Sequence, residues 1–179
     1  GIGGIRCYLH GKEDQALELA LKDDRWIIKS RFDVPANPDR MKELVEKLQN
    51  LEGELRSSAP DVLEDYGLKE EQSLHMVLLD KEGKELKHLL LGTKAPGWDQ
   101  SFLRLSGSNN VYLVSANLRS AVGIYGETND TPPDYKQLAD FVLMKIPKDD
   151  ISRVELETPY RRMVLELKEK PSPEVTDAT

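Results

Sequence analysis

The sequence predicts an α+β fold: antiparallel sheets, made of an N-terminal meander plus two hairpins, covered by two main helices at about residues 38–51 and 134–146. Three observations predict it. Short runs near both ends alternate apolar and polar residues, the period of a half-buried strand. Two longer stretches repeat apolar residues at helical spacing. The connections between strand-like runs are short, which favours antiparallel neighbours.

Ile5, Cys7 and Leu9 alternate with Arg6, Tyr8 and His10, so 5–10 reads as a strand. Leu17, Leu19 and Leu21 give a second strand, and Trp26-Ile27-Ile28 a third, aromatic and β-branched. Pro35 and Pro38 end it. Asn37-Pro38-Asp39 starts a helix, with Pro38 tolerated in the first turn. Met41, Leu44, Val45, Leu48 and Leu51 form its apolar stripe, and Gly53 is its expected stop. Pro60 opens a short helical turn that ends at Tyr66-Gly67, where Gly67 supplies the left-handed residue. Ser73–Asp80 and Glu85–Leu91 flank a Gly83 turn and form the first hairpin. Phe102-Leu103-Arg104 and Val111-Tyr112-Leu113 form the second. Ser115 is the expected cap of a short helix through Val122, and Asp134 that of the second main helix, with Leu138, Phe141, Val142 and Ile146 facing inward.

The chain then returns to strands. Val154 and Leu156, then Met163, Leu165 and Leu167, echo the alternation of the first strand pair, a partial internal repeat. The expected organisation is therefore an α+β repeat unit at 5–150, a strand pair at 151–170 resembling the start of a second unit and packed on the first, and a mobile tail at 171–179.

Composition narrows the function classes. The 179 residues carry a net charge of −7, the opposite of the basic footprint of nucleic-acid binders, so no nucleic acid is expected as partner. The single cysteine, Cys7, forms no internal disulfide and belongs to no CxxC spacing; its place in an alternating run predicts a buried, inert thiol. No apolar run approaches the ~20 residues that span a bilayer. Gly1-Ile2-Gly3-Gly4 lacks an initiator Met and reads as a processed end, so a native membrane anchor is expected to be absent from this chain.

The order of these motifs carries a resemblance. Asp24-Arg25-Trp26-Ile27-Ile28, the Pro-flanked helix with Leu44, Leu48 and Leu51, Tyr66-Gly67-Leu68, the Gly-turn hairpin ending Leu90-Leu91-Gly92, and the pair Phe102-Leu103-Arg104 with Val111-Tyr112-Leu113 together resemble the bacterial domain-of-unknown-function family 4340 over roughly Ile5 to Lys168. The resemblance implies an extracytoplasmic, often membrane-anchored and repeat-containing bacterial protein of the cell envelope. It also implies a link to auxiliary components of ABC transport systems. It assigns no catalytic residues.

Each candidate site has a bland counterpart. With the turn centred on Glu82-Gly83, residue 75 faces 90 and residue 88 faces 77, which sets His75 and His88 diagonally on one face, ~7–8 Å apart. A zinc site needs a third ligand, and no acid or His10 is placed by sequence, so the metal reading is disfavoured and no cofactor is expected. No GxSxG elbow occurs, and neighbouring carboxylates are expected among 32 acids, so no catalytic residue is assigned. Arg153 and Arg161-Arg162 read as a solvated face. Trp98, in Ala95-Pro96-Gly97-Trp98-Asp99, is the candidate binding residue, an aromatic in a Pro/Gly loop. Trp26 reads as core.

The function these readings favour is a non-enzymatic, extracytoplasmic interaction domain of a membrane-anchored bacterial protein, binding a protein in or near the membrane through a sheet edge or the Trp98 loop. The alternatives are a glycan or small-ligand binding module, which needs clustered aromatics from only two Trp, six Tyr and three Phe, and, third, a hydrolase with an unfamiliar site.

Overall fold

A computed structural model of the chain describes residues 1–93, 95–128 and 131–167, so the tail at 171–179 lies outside the described residues. The chain divides into two units, Gly1–Asp140 and Phe141–Thr179.

The first unit is one nine-stranded antiparallel sheet. Its strands are β1 (Gly4–Leu9), β2 (Leu17–Lys22), β3 (Arg25–Ile28), β4 (Val34–Pro35), β5 (Gly53–Ser57), β6 (Leu74–Leu79), β7 (Glu85–Leu91), β8 (Ser101–Leu105) and β9 (Val111–Val114). Their spatial order is β4-β3-β2-β1-β6-β7-β8-β9-β5. The meander β1–β3 and the hairpins β6–β7 and β8–β9 are those the alternation and turns predict. What joins them into a single sheet is β1 lying against β6, with Tyr8 opposite His75 and Leu9 opposite Leu74. β4 and β5, which the sequence shows only as connectors, become its two edges.

α1 (Pro38–Gln49) joins those edges. The Asn37 side chain caps it by accepting from the Arg40 N–H at 3.1 Å, and Pro38 sits in the first turn. Gly53 does not stop it. Asn50 ends it, its N–H and side-chain amide both donating to the Glu46 carbonyl, and Gly53 instead begins β5. Met41, Leu44 and Leu48 are buried on the sheet against Ile5, Cys7, Leu9, Leu17, Leu19, Leu74, Met76 and Leu89. Each such side chain taken from water contributes about 1.5–3 kcal/mol.

The opposite face has a smaller core. Leu63, from a 3-10 turn at Pro60–Leu63, and Leu68 bury Leu90 and Val111, and Tyr66 packs edge-on against Phe102 at 4.6 Å. Gly67 has φ +63°, and a Cβ there would lie 2.1 Å from Thr93 Oγ1, so glycine is required on both counts.

The second main helix is not formed. In place of 134–146 there is a 3-10 turn at Tyr135–Gln137, capped by Asp134 as expected. The backbone beyond it is drawn onto β4. Ala139 bridges Ala36, the Asn37 N–H donates to the Leu138 carbonyl at 2.7 Å, and the Asp140 N–H to the Pro35 carbonyl at 2.8 Å. Those bonds use groups a helix would need for its own ladder. Leu138 is buried, but Phe141 is 63% exposed and Val142 and Ile146 are exposed too. The short helix α2 (Leu118–Ala121) is capped by Asn117, not Ser115.

In the second unit, β10 (Arg153–Thr158) and β11 (Arg161–Glu166) pair as a two-stranded ribbon. Val154 lies opposite Leu165 and Leu156 opposite Met163, which gathers these four side chains on one face. Arg153, Glu155, Glu157, Arg162 and Glu166 fall on the other.

Candidate functional site

The sheet face turned away from α1 carries a cluster of polar side chains. β1 supplies Tyr8, β6 His75 and β7 His88, each at the parity opposite to the core residues beside it. The Gly83 turn sets the predicted register, His75 opposite Leu90 and His88 opposite Val77. Tyr8 stacks on His75, nearly parallel at 4.8 Å, while His88 and His10 lie tilted to His75 at 5.1 Å and 6.3 Å. All three histidines of the chain therefore converge.

The hydrogen bonds assign the protons. His75 Nε2 is 2.9 Å from the Glu70 carbonyl, which can only accept, so Nε2 carries hydrogen. With the ring neutral, His75 Nδ1 accepts from His88 Nε2–H at 3.0 Å. Burial, and then any charge on His75, pushes the His88 pKa below its usual value. Both nitrogens of His75 and one of His88 are thus committed. A metal bound by this pair would have to break those bonds, and among the described residues no third His, Cys, Asp or Glu completes a site.

Arg104 fixes the segment that roofs these histidines. It is buried, with Nε donating to the Leu68 carbonyl at 2.7 Å, Nη1 to the Ser108 carbonyl at 3.1 Å and Nη2 to Glu70 Oε1 at 3.1 Å. Sequence reasoning missed it, since an arginine at an outward parity gives no sign that a loop will cover it. A second buried arginine, Arg119, donates to the Thr128 carbonyl at 2.9 Å, and burial pulls its pKa down to about 10.

No nucleophile stands ready among these groups. Cys7 is fully buried and its pKa is pushed up to about 12, which keeps it a thiol. Arg153 and Arg162 pair with Glu155 on the ribbon's charged face, and Arg153 also with Glu166.

Trp98 is 88% exposed. Its backbone is held in place: Asn117 Nδ2 donates to the Trp98 carbonyl at 2.6 Å, and the Gln100 N–H to the Gly97 carbonyl closes the turn. Trp26 packs against the main core. Ser101 pairs with Val114, and Val114 with Gly53, so the Trp98 loop stands at the end of the sheet where β5 begins.

The two sheet edges differ. β4 is two residues long, contains Pro35 and is bridged by Ala139. β5 is five residues long and has no strand on its outer side among the described residues, with Leu55 53% exposed.

Residues 26–178 match the family described as Domain of unknown function (DUF4340). The match begins at the third strand, leaving β1 and β2 before it. No curated protein and no solved structure matches the chain.

Proposed function

The chain belongs to the DUF4340 family, and from that premise we propose that it is a non-enzymatic interaction domain of a membrane-anchored bacterial envelope protein, an auxiliary part of a transport or envelope assembly. It binds an extended segment of a membrane-associated protein along β5, and Trp98 anchors that segment at the end of the strand.

The observation that carries this reading is the pairing of an open edge with an exposed indole at one end of it. An unpaired strand offers a row of main-chain donors and acceptors for a further strand. A tryptophan held by its backbone loses little freedom on binding and buries a large area, the pattern of an interface anchor. The envelope location and the transport link rest on the family resemblance alone.

A photo-crosslinking residue placed at Leu55 or at Trp98 of the full-length protein in its native host tests the reading. It expects one membrane-associated protein joined from both positions and not from Glu82 at the tip of the β6–β7 hairpin. Cross-links to no protein, or to the same proteins from all three positions, overturn it.

A further inference from the structure

α1 by itself cannot cover a nine-stranded sheet, and the segment carrying α2 shares that core. Twelve residues of α1 extend about 18 Å, whereas nine strands side by side span about 40 Å. Beyond the C-terminal end of α1 the core face of β6–β9 lies open as a groove of about 280 Å³. Its walls include Leu51, Leu89, Leu103, Leu105 and Tyr112 and are mostly hydrocarbon.

Two further features mark it as a site. Gly53 lines the groove, and a Cβ there would crowd two of its walls, lying 3.0 Å from Tyr112 Cβ and 3.1 Å from Val114 Cγ1. Lys87 stands at the rim. It shares the strand face of Leu89 and Leu91 and lies opposite Leu78, a parity that elsewhere on this face is filled by core residues. It is exposed, and among the described residues no carboxylate pairs with it. A cation beside a hydrocarbon slot is complementary to a molecule with one apolar chain and one negative head.

The geometry points to this groove as a binding site for an anionic single-chain lipid, with the acyl chain lying between Leu51, Leu103, Leu105 and Tyr112 and the head group paired with Lys87. The site lies on the face of the sheet and the proposed partner contact on the outer edge of β5; they share only Gly53, and neither reading depends on the other.

Dodecanoate, kept below its micellar concentration, is the probe, and the ¹³C-methyl spectrum of the whole chain is the readout. Saturable shifts of the Leu51, Leu89, Leu103 and Leu105 methyls are expected, with the Leu63 and Leu68 methyls of the opposite face unmoved. Dodecyltrimethylammonium, with the same chain and a positive head, binds about tenfold more weakly, a difference of about 1.4 kcal/mol. Lys87→Glu, at an exposed position that leaves the fold intact, reverses that order. Leu105→Arg fills the groove and abolishes both. No groove shifts, or equal affinity for the two heads in the parent and in Lys87→Glu, overturns the proposal. So do groove shifts that follow protein concentration without lipid, which would assign the groove to a second copy of the chain.

Discussion

The strand pairs β1–β2 and β10–β11 are written in nearly the same alternation and meet opposite fates. In β1–β2, Ile5, Cys7, Leu9, Leu17 and Leu19 are all buried beneath α1, and β6 continues the ladder on the far side of β1. In β10–β11, Val154, Leu156, Met163 and Leu165 share one face in the same way, yet all are exposed, Leu156 by 51%. Alternation specifies which side chains share a face; it does not supply the layer that covers them. A covered pair draws its stability from burial. A two-stranded ribbon is marginal by itself.

Substitutions break the comparison in order of size. Ile5→Ala removes a fully buried side chain and is expected to cost about 2–5 kcal/mol, read as a drop in the denaturant midpoint. A change under about 1 kcal/mol would mean that the β1 face is not a packed core. Arg104→Ala comes next. It leaves two carbonyls and Glu70 without their donor on the sheet's other face, for about 1–3 kcal/mol, and it should raise hydrogen exchange at residues 68–73 before the rest. Uniform exchange would show that Arg104 does not pin that segment.

Acid gives a smaller effect. His88 titrates below its unfolded value because burial, and then His75, disfavour its charge. The unfolded chain therefore takes up this proton first. The contribution is full above about pH 6.5, and is lost as pH falls from there through the folded pKa. Glu85 and Glu70 oppose the shift and Arg104 adds to it, and the half-buried ring is partly screened by solvent, so the slope stays well under the full-proton limit of about 1.4 kcal/mol per pH unit. Thermal unfolding of the parent and of His88→Gln between pH 7 and pH 5 should differ in slope; parallel curves would remove His88 from the account. Smallest of all, Leu156→Thr, at an exposed side chain of the ribbon, should move the main unfolding transition by no more than about 0.5 kcal/mol. A loss comparable with Ile5→Ala would show that the two pairs are equally covered.

Much of the first unit was legible because it is local. The Gly83 turn set the register of β6–β7 from Leu78–Lys87 outward, with a bulge between Leu78 and Leu79, and Asn37-Pro38 marked the start of α1. Contacts made across long stretches of chain were not. Nothing in the sequence pairs Tyr8 with His75, so the convergence of His10 with the other two histidines could not be read, nor the single sheet that produces it. β5 has one apolar residue among five and no periodicity to announce it. The helical spacing of Leu138, Phe141, Val142 and Ile146 was real as a pattern, but the β4 edge captured the backbone at Ala139 and Asp140. Trp98 was legible as a loop aromatic; its exposure depends on where the Asn117 side chain holds the loop.

The unequal edges have a consequence for valency. With Pro35 and Ala139 closing β4, the nine-stranded sheet has one open edge among the described residues, like a monomer with one functional group. Any strand added at β5 satisfies it. Two molecules that met edge to edge there would form a closed pair with a blocked β4 at each extremity, and the joined sheet would grow no further.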